Sequence, residues 1–224
     1  MTLSIVARCA RTGQFGVGAM TAVPAVGKLL AHAAARTGAV ATQARVNPYL
    51  GIDGIALLRQ RLCAADVLAA LKRADPRIEA RQLAVIDAAG RTATFTGSES
   101  IAWAGALERD GFAIQGNRLA GPPVLEAAAG AFARCASLSL PERLIEGLFA
   151  ADAAGGDRHE EESAAVYVVD LEDYPLWDIR VDQHETPLLE LRRLYDVFRE
   201  RLLPEILRMP TRRNPAGESD ESEV

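Results

Sequence analysis

One threonine near the start of the chain has the chemistry of a nucleophile. Thr2 follows Met1 and opens the strand-like run TLSIVAR (residues 2–8). Its side chain is small, so removal of Met1 is chemically permitted, and the α-amine of Thr2 would then be free to accept the proton of its own hydroxyl. An α-amine has a pKa of about 7.7–8.0, so a useful fraction of it is neutral. We therefore predict that Thr2 is catalytic, on the condition that its strand ends in a pocket.

A second group of candidate residues is the tripeptide Gln115-Gly116-Asn117, which lies at the end of a strand predicted at 111–116. Its two carboxamides and open backbone could donate hydrogen bonds to an oxyanion or hold a polar substrate. A turn with the asparagine in the left-handed conformation explains the same residues. We predict all three as substrate-binding residues and keep the turn as the alternative.

Two amide side chains follow the apolar strand predicted at 37–43. Gln43 ends that strand beside its hydrophobic residues, so we expect it in the pocket. Asn47 precedes Pro48, where an asparagine either caps the following helix or lines the same cleft. Both residues enter the predicted substrate-binding set.

A charged pair follows two glycines at the end of a predicted helix. Asp157 and Arg158 come directly after Gly155-Gly156. The arginine could hold a substrate carboxylate through two hydrogen bonds, and the aspartate could orient the amine of Thr2. The alternative is a glycine turn at the helix end with a surface ion pair. We include both residues in the predicted substrate-binding set.

Composition narrows the function classes. The net charge of −5 and the scattered Lys and Arg residues argue against a nucleic-acid partner, since phosphate binding needs clustered cations. No apolar run approaches the ~20 residues that cross a bilayer, so we expect a cytoplasmic protein without a membrane partner. The three histidines lack metal-ligand spacing and the three cysteines are widely separated. We therefore expect neither a metal site nor a cofactor.

The predicted elements alternate between strands and pairs of helices. Hairpins are predicted at 2–20 and 81–97, further strands at 37–43, 100–104, 111–116, 163–170 and 177–182, helix pairs at 48–74 and 121–153, and a long helix at 187–208. Hairpin-linked strands favour antiparallel sheets, and consecutive helices favour helical layers that cover those sheets. We predict one domain over residues 1–209 and a disordered acidic tail over 210–224.

Several segments together resemble a known bacterial family. They are TLSIVAR, TGQFGVGAM, GAVATQARVNPYLGIDGIALL, FAIQGNRLAGPPVLEA, AAGGDR and DIRVDQH, within about residues 2–195. The pattern is similar to that of the domain of unknown function 1028 family, which is grouped with the N-terminal nucleophile (Ntn) hydrolase-like superfamily. The resemblance implies an α+β fold, a four-layer αββα sandwich of two antiparallel sheets flanked by helices, with the N-terminal strand inside a central sheet.

The superfamily analogy implies hydrolysis of an amide bond through an acyl-enzyme on Thr2. Two hypotheses follow. The first is an amidohydrolase that acts on a small-molecule substrate. The alternative is a catalytically silent module that uses the same fold for ligand binding or assembly. Symmetric dimers are the commonest assemblies, and the apolar alternation of the last strands and helix is compatible with a homodimer.

Overall fold

The structure is a computed structural model that describes residues 2–100, 102–155 and 161–218. Within these ranges the strands are β1 Thr2–Arg8, β2 Phe15–Thr21, β3 Ala31–Ala34, β4 Gly38–Ala44, β5 Arg81–Asp87, β6 Thr92–Thr96, β7 Trp103–Arg109, β8 Phe112–Leu119, β9 Ser163–Val169 and β10 Pro175–Val181. The α-helices are α1 Pro48–Arg59, α2 Ala64–Ala74, α3 Pro122–Arg134, α4 Leu140–Ala153, α5 Pro187–Arg201 and α6 Leu203–Arg208.

The strands form two antiparallel sheets. Sheet A has the order β10-β9-β2-β1-β8-β7, and sheet B has the order β3-β4-β5-β6. β1 therefore lies at the centre of sheet A, where it pairs with β2 through a short hairpin and with β8 from much later in the chain. Sheet B is built from two hairpins whose inner strands, β4 and β5, pair with each other.

Three apolar clusters hold four layers together. Helices α3, α4 and α5 pack on one face of sheet A around residues such as Leu3 and Phe132. Helices α1 and α2 pack on the outer face of sheet B around Leu58. The two inner faces meet through a cluster that contains Val6 and Ile86. The layer order is helix, sheet, sheet, helix, so the predicted α+β fold, a four-layer αββα sandwich, is confirmed.

The side chains of β1 alternate between two buried faces, as the geometry of a strand requires. Leu3 and Ile5 pack in the cluster beneath the helices. Val6 packs in the cluster between the sheets, and Ser4 bonds across that space to Gln43 of sheet B. Apolar contacts and two strand ladders thus hold β1 in place.

The helix predicted at 187–208 is two helices. α5 ends at Arg201, and α6 begins at Leu203 with Pro204 in its first turn. In a continuous helix, a proline at this position has no N–H for the carbonyl of residue 200, and its ring collides with that carbonyl. Apolar periodicity continues through such a break, so the pattern alone does not reveal it.

Strand β3 is not among the predicted elements. Its sequence, AHAA, consists of residues with little strand preference. Pairing with β4 and the packing of Ala31 and Ala33 against the inter-sheet cluster set its conformation. The strand predicted at 100–104 is also displaced, because β7 begins at Trp103 and continues to Arg109.

The chain beyond α6 makes contacts with the loop between β9 and β10. Arg212 lies 2.5 Å from Asp173, and the Tyr174 hydroxyl donates to the Pro210 carbonyl at 3.2 Å. The single domain over 1–209 and the disorder of the acidic tail stay predictions.

Candidate functional site

Thr2 lies between the ends of β2 and β8. In the strand register it is opposite Thr21 on one side and Asn117 on the other. The hydroxyl oxygens of Thr2 and Thr21 are 2.9 Å apart, and either hydroxyl can donate to the other. Because Thr2 is paired on both sides, its side chain extends from a rigid element, which favours a precise site.

The side chain of Thr2 faces a cleft of about 160 Å³. One wall is the segment between β2 and β3, and the other is the end of β4 with the residues that follow it. The described residues that line the cleft are Thr2, Thr21, Val23, Pro24, Ala25, Val26, Leu29, Leu30, Thr42, Gln43, Ala44 and Val46. None of these side chains is titratable, so a free α-amine on Thr2 would be the one charged group of the described lining.

Hydrogen bonds to sheet A and its edge hold the wall between β2 and β3. The Ser163 hydroxyl donates to the Val23 carbonyl at 2.6 Å and accepts from the Val26 N–H at 3.1 Å. The Ala25 N–H donates to the Asp182 carbonyl at 2.8 Å. The wall is therefore anchored at three backbone groups.

Two alanines on opposite walls adopt the left-handed conformation. Ala25 has φ 62° and Ala44 has φ 68°. A residue with a Cβ loses about 1–2 kcal/mol there relative to the right-handed region. Both residues belong to the lining of the cleft.

Gln43 connects the cleft to a buried polar network beneath it. Its Nε2 donates to the Thr2 carbonyl at 3.2 Å and to Gln82 Oε1 at 2.8 Å. Its Oε1 accepts from the Ser4 hydroxyl at 2.7 Å. Gln43 thus joins sheet B to the backbone of Thr2, and its predicted place in the pocket agrees with its position in the cleft lining.

Gln82 is the centre of the network. Its Oε1 accepts from Asn117 Nδ2 at 3.1 Å, and its Nε2 donates to the Gly116 carbonyl at 2.9 Å. Gln115 Nε2 donates to the Ser4 hydroxyl at 3.3 Å. Within the part of the chain that the structure describes, Gln115 Oε1 is buried and has no hydrogen-bond partner.

The turn that was the alternative for the tripeptide is not found in the structure. Gln115, Gly116 and Asn117 lie inside β8, and the left-handed residue is Arg118, φ 57°, where the register between β7 and β8 shifts. The shift interrupts the alternation of the strand, because Leu119 packs on the helix side of sheet A and not on the face of Asn117. A Cβ on Gly116 would lie 2.5 Å from Leu119, so this glycine permits close packing. The substrate-binding role of the tripeptide stays a prediction.

Asn47 has the capping role that was the alternative for this residue. Its Oδ1 accepts from the Tyr49 N–H at 3.2 Å, and its Nδ2 donates to Asp75 Oδ2 at 2.9 Å. Burial raises the pKa of the Asp75 carboxyl, but hydrogen bonds from Asn47, the Arg77 N–H and Arg81 outweigh burial and lower the pKa. Asn47 is not among the described residues that line the cleft.

The remaining predicted site residues, Asp157 and Arg158, lie outside the described residues. Their predicted contacts with a substrate carboxylate and with the Thr2 amine stay predictions.

Three further site residues were missed in the sequence. Ser4 follows Thr2 by two positions and so shares its face, and Thr21 continues the inward row of Val17 and Ala19 in β2. Gln82 has the same signal, a polar residue in the inward row of an otherwise apolar strand. Each of these polar residues lies on the same strand face as apolar residues, and a polar residue at such a position is the sequence feature that identifies it.

Over residues 2–100, 102–155 and 161–218, no three His, Cys, Asp or Glu side chains gather as metal ligands would. In the same ranges, every helix is too short or too polar to cross a bilayer.

A family model and a solved structure both match this chain. The model described as "Family of unknown function (DUF1028)" matches residues 2–191. The crystal structure of protein SPO2555 from Silicibacter pomeroyi, itself described by the DUF1028 model, is similar, with a TM-score of 0.91, 28% identity, and coverage of 100% of this chain and 97% of that chain.

A more distant similarity is to Anbu (ancestral beta-subunit) from Yersinia bercovieri. The TM-score is 0.40 at 11% identity, over 88% of this chain and 97% of that chain. No curated protein matches the chain.

Proposed function

This chain belongs to the DUF1028 family, and from that premise we propose that it is a hydrolase that cleaves a small amide through an acyl-enzyme on Thr2. The family description states no activity, so the proposal depends on the site. The single observation that carries it is the position of Thr2, whose side chain lines a cleft from the end of a strand that is paired on both sides.

The proposed reaction has two steps. Thr2 Oγ1 forms a bond to the amide carbonyl carbon while its proton passes to the α-amine of the same residue. The tetrahedral intermediate then expels the leaving amine, which takes that proton, and an ester on Thr2 remains. A water molecule adds to the ester, the carboxylic acid leaves, and the hydroxyl is restored. This chemistry requires removal of Met1, because only a free amine can accept the proton.

Neighbouring groups support a positioned nucleophile. The Thr21 hydroxyl, at 2.9 Å, can orient the Thr2 hydroxyl. Gln43 donates to the Thr2 carbonyl and so holds the end of β1 against sheet B. The resemblance to the Ntn hydrolase-like superfamily adds that proteins of this class use the first residue of a central strand as their nucleophile.

The test is covalent capture by an activated butyryl ester, followed by intact mass and peptide mapping. We expect the mass of Met1 to be missing and one butyryl group to be attached to Thr2. Thr2→Ala should lose the adduct at an unchanged melting temperature, and Thr2→Ser should keep it. Thr12→Ala is the matched control, because Thr12 is exposed at the other end of the β1–β2 hairpin. Retention of Met1, or acylation elsewhere, would overturn the proposal.

The second candidate function is a ligand-binding module without catalysis. One observation favours it: the side-chain amides of Gln43, Gln115 and Asn117 all donate to protein acceptors. An oxyanion hole needs donors that are aimed at the reacting oxygen. Saturable binding of a neutral amide without any acylation of Thr2 would support this candidate over the hydrolase.

A further inference from the structure

We infer that the cleft beside Thr2 accepts an uncharged, aliphatic acyl group. This inference rests on the proposed function for its reaction, but its binding component can be tested without turnover. The acyl carbonyl lies at the polar end, near Thr2, Thr21 and Gln43, and the hydrocarbon chain extends between the two walls.

The charges of the cleft carry the first step. No charged side chain belongs to the described lining, and the flanking cations, Lys28 and Arg45, are exposed outside it. A carboxylate at the far end of the acyl chain loses water and, away from the α-amine of Thr2, meets no counter-charge among the described lining residues, which is unfavourable. The described cleft therefore selects against an acidic acyl group.

The apolar surface continues to the mouth of the cleft. Val23, Leu29 and Val46 are 59%, 43% and 41% exposed, yet all three line the space that Thr2 faces. Isolated exposed aliphatic residues are common, but a set that converges on one opening indicates a surface that an apolar ligand covers. A chain that passes from Thr2 to the mouth contacts these side chains in turn.

The strained alanines support the same ligand. Ala25 and Ala44 line the cleft in a backbone conformation that glycine adopts more easily. Strain at a cleft is an observation from which a binding role can be inferred. Both residues are apolar, so each of the two walls offers hydrocarbon surface to an acyl chain.

The first experiment measures binding to Thr2→Ala, which cannot be acylated at this position. Ligand-observed NMR titration compares N-methylacetamide, N-methylbutanamide, N-methylhexanamide and N-methylsuccinamate. We expect the affinity to rise about fourfold for each buried methylene, which corresponds to ~0.8 kcal/mol. We expect the succinamate to bind at least tenfold more weakly than the butanamide. Equal binding of the two, or no binding by any amide, would overturn the inference.

A variant pair tests the neutrality of the cleft. Val46→Lys introduces a cation at the exposed mouth and should improve succinamate binding several-fold while it weakens hexanamide binding. Leu207→Lys is the matched control, since Leu207 is 64% exposed on α6 and is not among the described lining residues. It should leave both affinities unchanged. An equal effect of the two variants on binding would contradict the proposed position of the ligand's hydrocarbon chain in the cleft.

Turnover assays separate this inference from the proposed function. The unaltered protein is given the acetyl, butyryl, hexanoyl and succinyl anilides. Aliphatic amides that bind without hydrolysis would leave the inference standing and defeat the hydrolase. Hydrolysis of the succinyl anilide as fast as the butyryl anilide would support the hydrolase and contradict the inferred preference for an uncharged acyl group. Arg158→Gln would then show whether the predicted contact of Arg158 with a carboxylate is responsible.

Discussion

The layer between the two sheets has two unlike ends, although the same strands build both. At one end Val6, Val17 and Ile86 pack in the apolar cluster between the sheets. At the other end the same inward rows present Ser4 and Gln82, and the cleft lies beside them. The same strands therefore supply apolar packing at one end and the residues of the candidate site at the other.

The difference between the two ends shows which residues the fold needs. An apolar row stabilises the sandwich by leaving water. A buried amide contributes little net stability when it is bonded but costs about 1–3 kcal/mol when one partner is lost. An apolar layer throughout would hold the sheets together equally well, so the polar end has a reason other than stability. We define this polar end as the side chains of Ser4, Gln43, Gln82, Gln115 and Asn117.

The largest stability effect is expected at the centre of the polar end. Gln82→Leu removes the acceptor for both Gln43 Nε2 and Asn117 Nδ2, so at least two buried donors lose a partner. We expect a loss of about 4 kcal/mol in the free energy of unfolding, measured with denaturant. Gln183→Leu, at an exposed position, is the control. A loss below about 1 kcal/mol would show that the network adapts and that the two ends differ less than proposed.

The next effect is expected at the apolar end. Ile86→Ala leaves a cavity at a fully buried position and should cost about 3 kcal/mol in unfolding free energy. Because Ile86 is not among the described cleft residues, amide affinity should be unchanged below the melting transition. Titration of the folded variant checks this. A tenfold loss of affinity would mean that the two ends are coupled.

A smaller effect separates Asn47 from the site. Asn47→Ala removes a helix cap and should cost about 1 kcal/mol. It should also raise the pKa of Asp75, because Asn47 is one of the donors that lower it from 3.8. The folded-state pKa of Asp75 lies below its unfolded value, so its contribution is complete above that value and is lost as the pH falls through the folded-state pKa.

In Asn47→Ala this contribution disappears at a higher pH, so the acid-unfolding midpoint should move upward. Unfolding followed between about pH 2 and pH 6 checks the direction. If stability were unchanged and amide binding lost, Asn47 would be a substrate-binding residue, as the sequence predicted, and the site would extend to α1.

The smallest effect is expected at the strained wall. Ala25→Gly relieves about 1–2 kcal/mol of left-handed strain but adds unfolded-state entropy worth ~0.4–1 kcal/mol. We expect a net gain of roughly 0.5 kcal/mol and weaker binding of the longer amides. A melting curve and the NMR titration measure the two results. A stability loss above about 1 kcal/mol would show that the methyl group of Ala25 stabilises the fold through its packing, which would contradict a role in ligand binding alone.

Local patterns were sufficient to predict most elements of the fold. The β1–β2 hairpin, α1 and α2 follow from alternation, helical spacing and the signal Asn47-Pro48. β3 was missed because its alanines have no strand signal, and the break before Pro204 was missed because apolar spacing continues through it. In both cases, neighbouring elements or backbone sterics outweighed the local pattern.

The candidate site was predictable only in part, because its residues come from distant strands. Thr2 and Gln43 could be selected from their local chemistry. Gln82 could not, since its importance depends on Gln43 and Asn117 meeting it across two sheets. The turn kept as the alternative for the tripeptide is absent for a similar reason: a glycine and an asparagine suggest a turn locally, whereas pairing with β1 keeps the chain extended.

The central position of β1 has a consequence during synthesis on the ribosome. The β1–β2 hairpin can close as soon as its own residues have emerged, but Asn117, the other neighbour of Thr2, is made 96 residues after Thr21, the last residue of the hairpin. At translation rates of about 5–20 residues per second, this edge of β1 has no partner strand for several seconds or longer, until β8 has been made. Thr2 is therefore accessible to processing enzymes before the second half of the chain encloses it, and the proposed function needs this access for the removal of Met1.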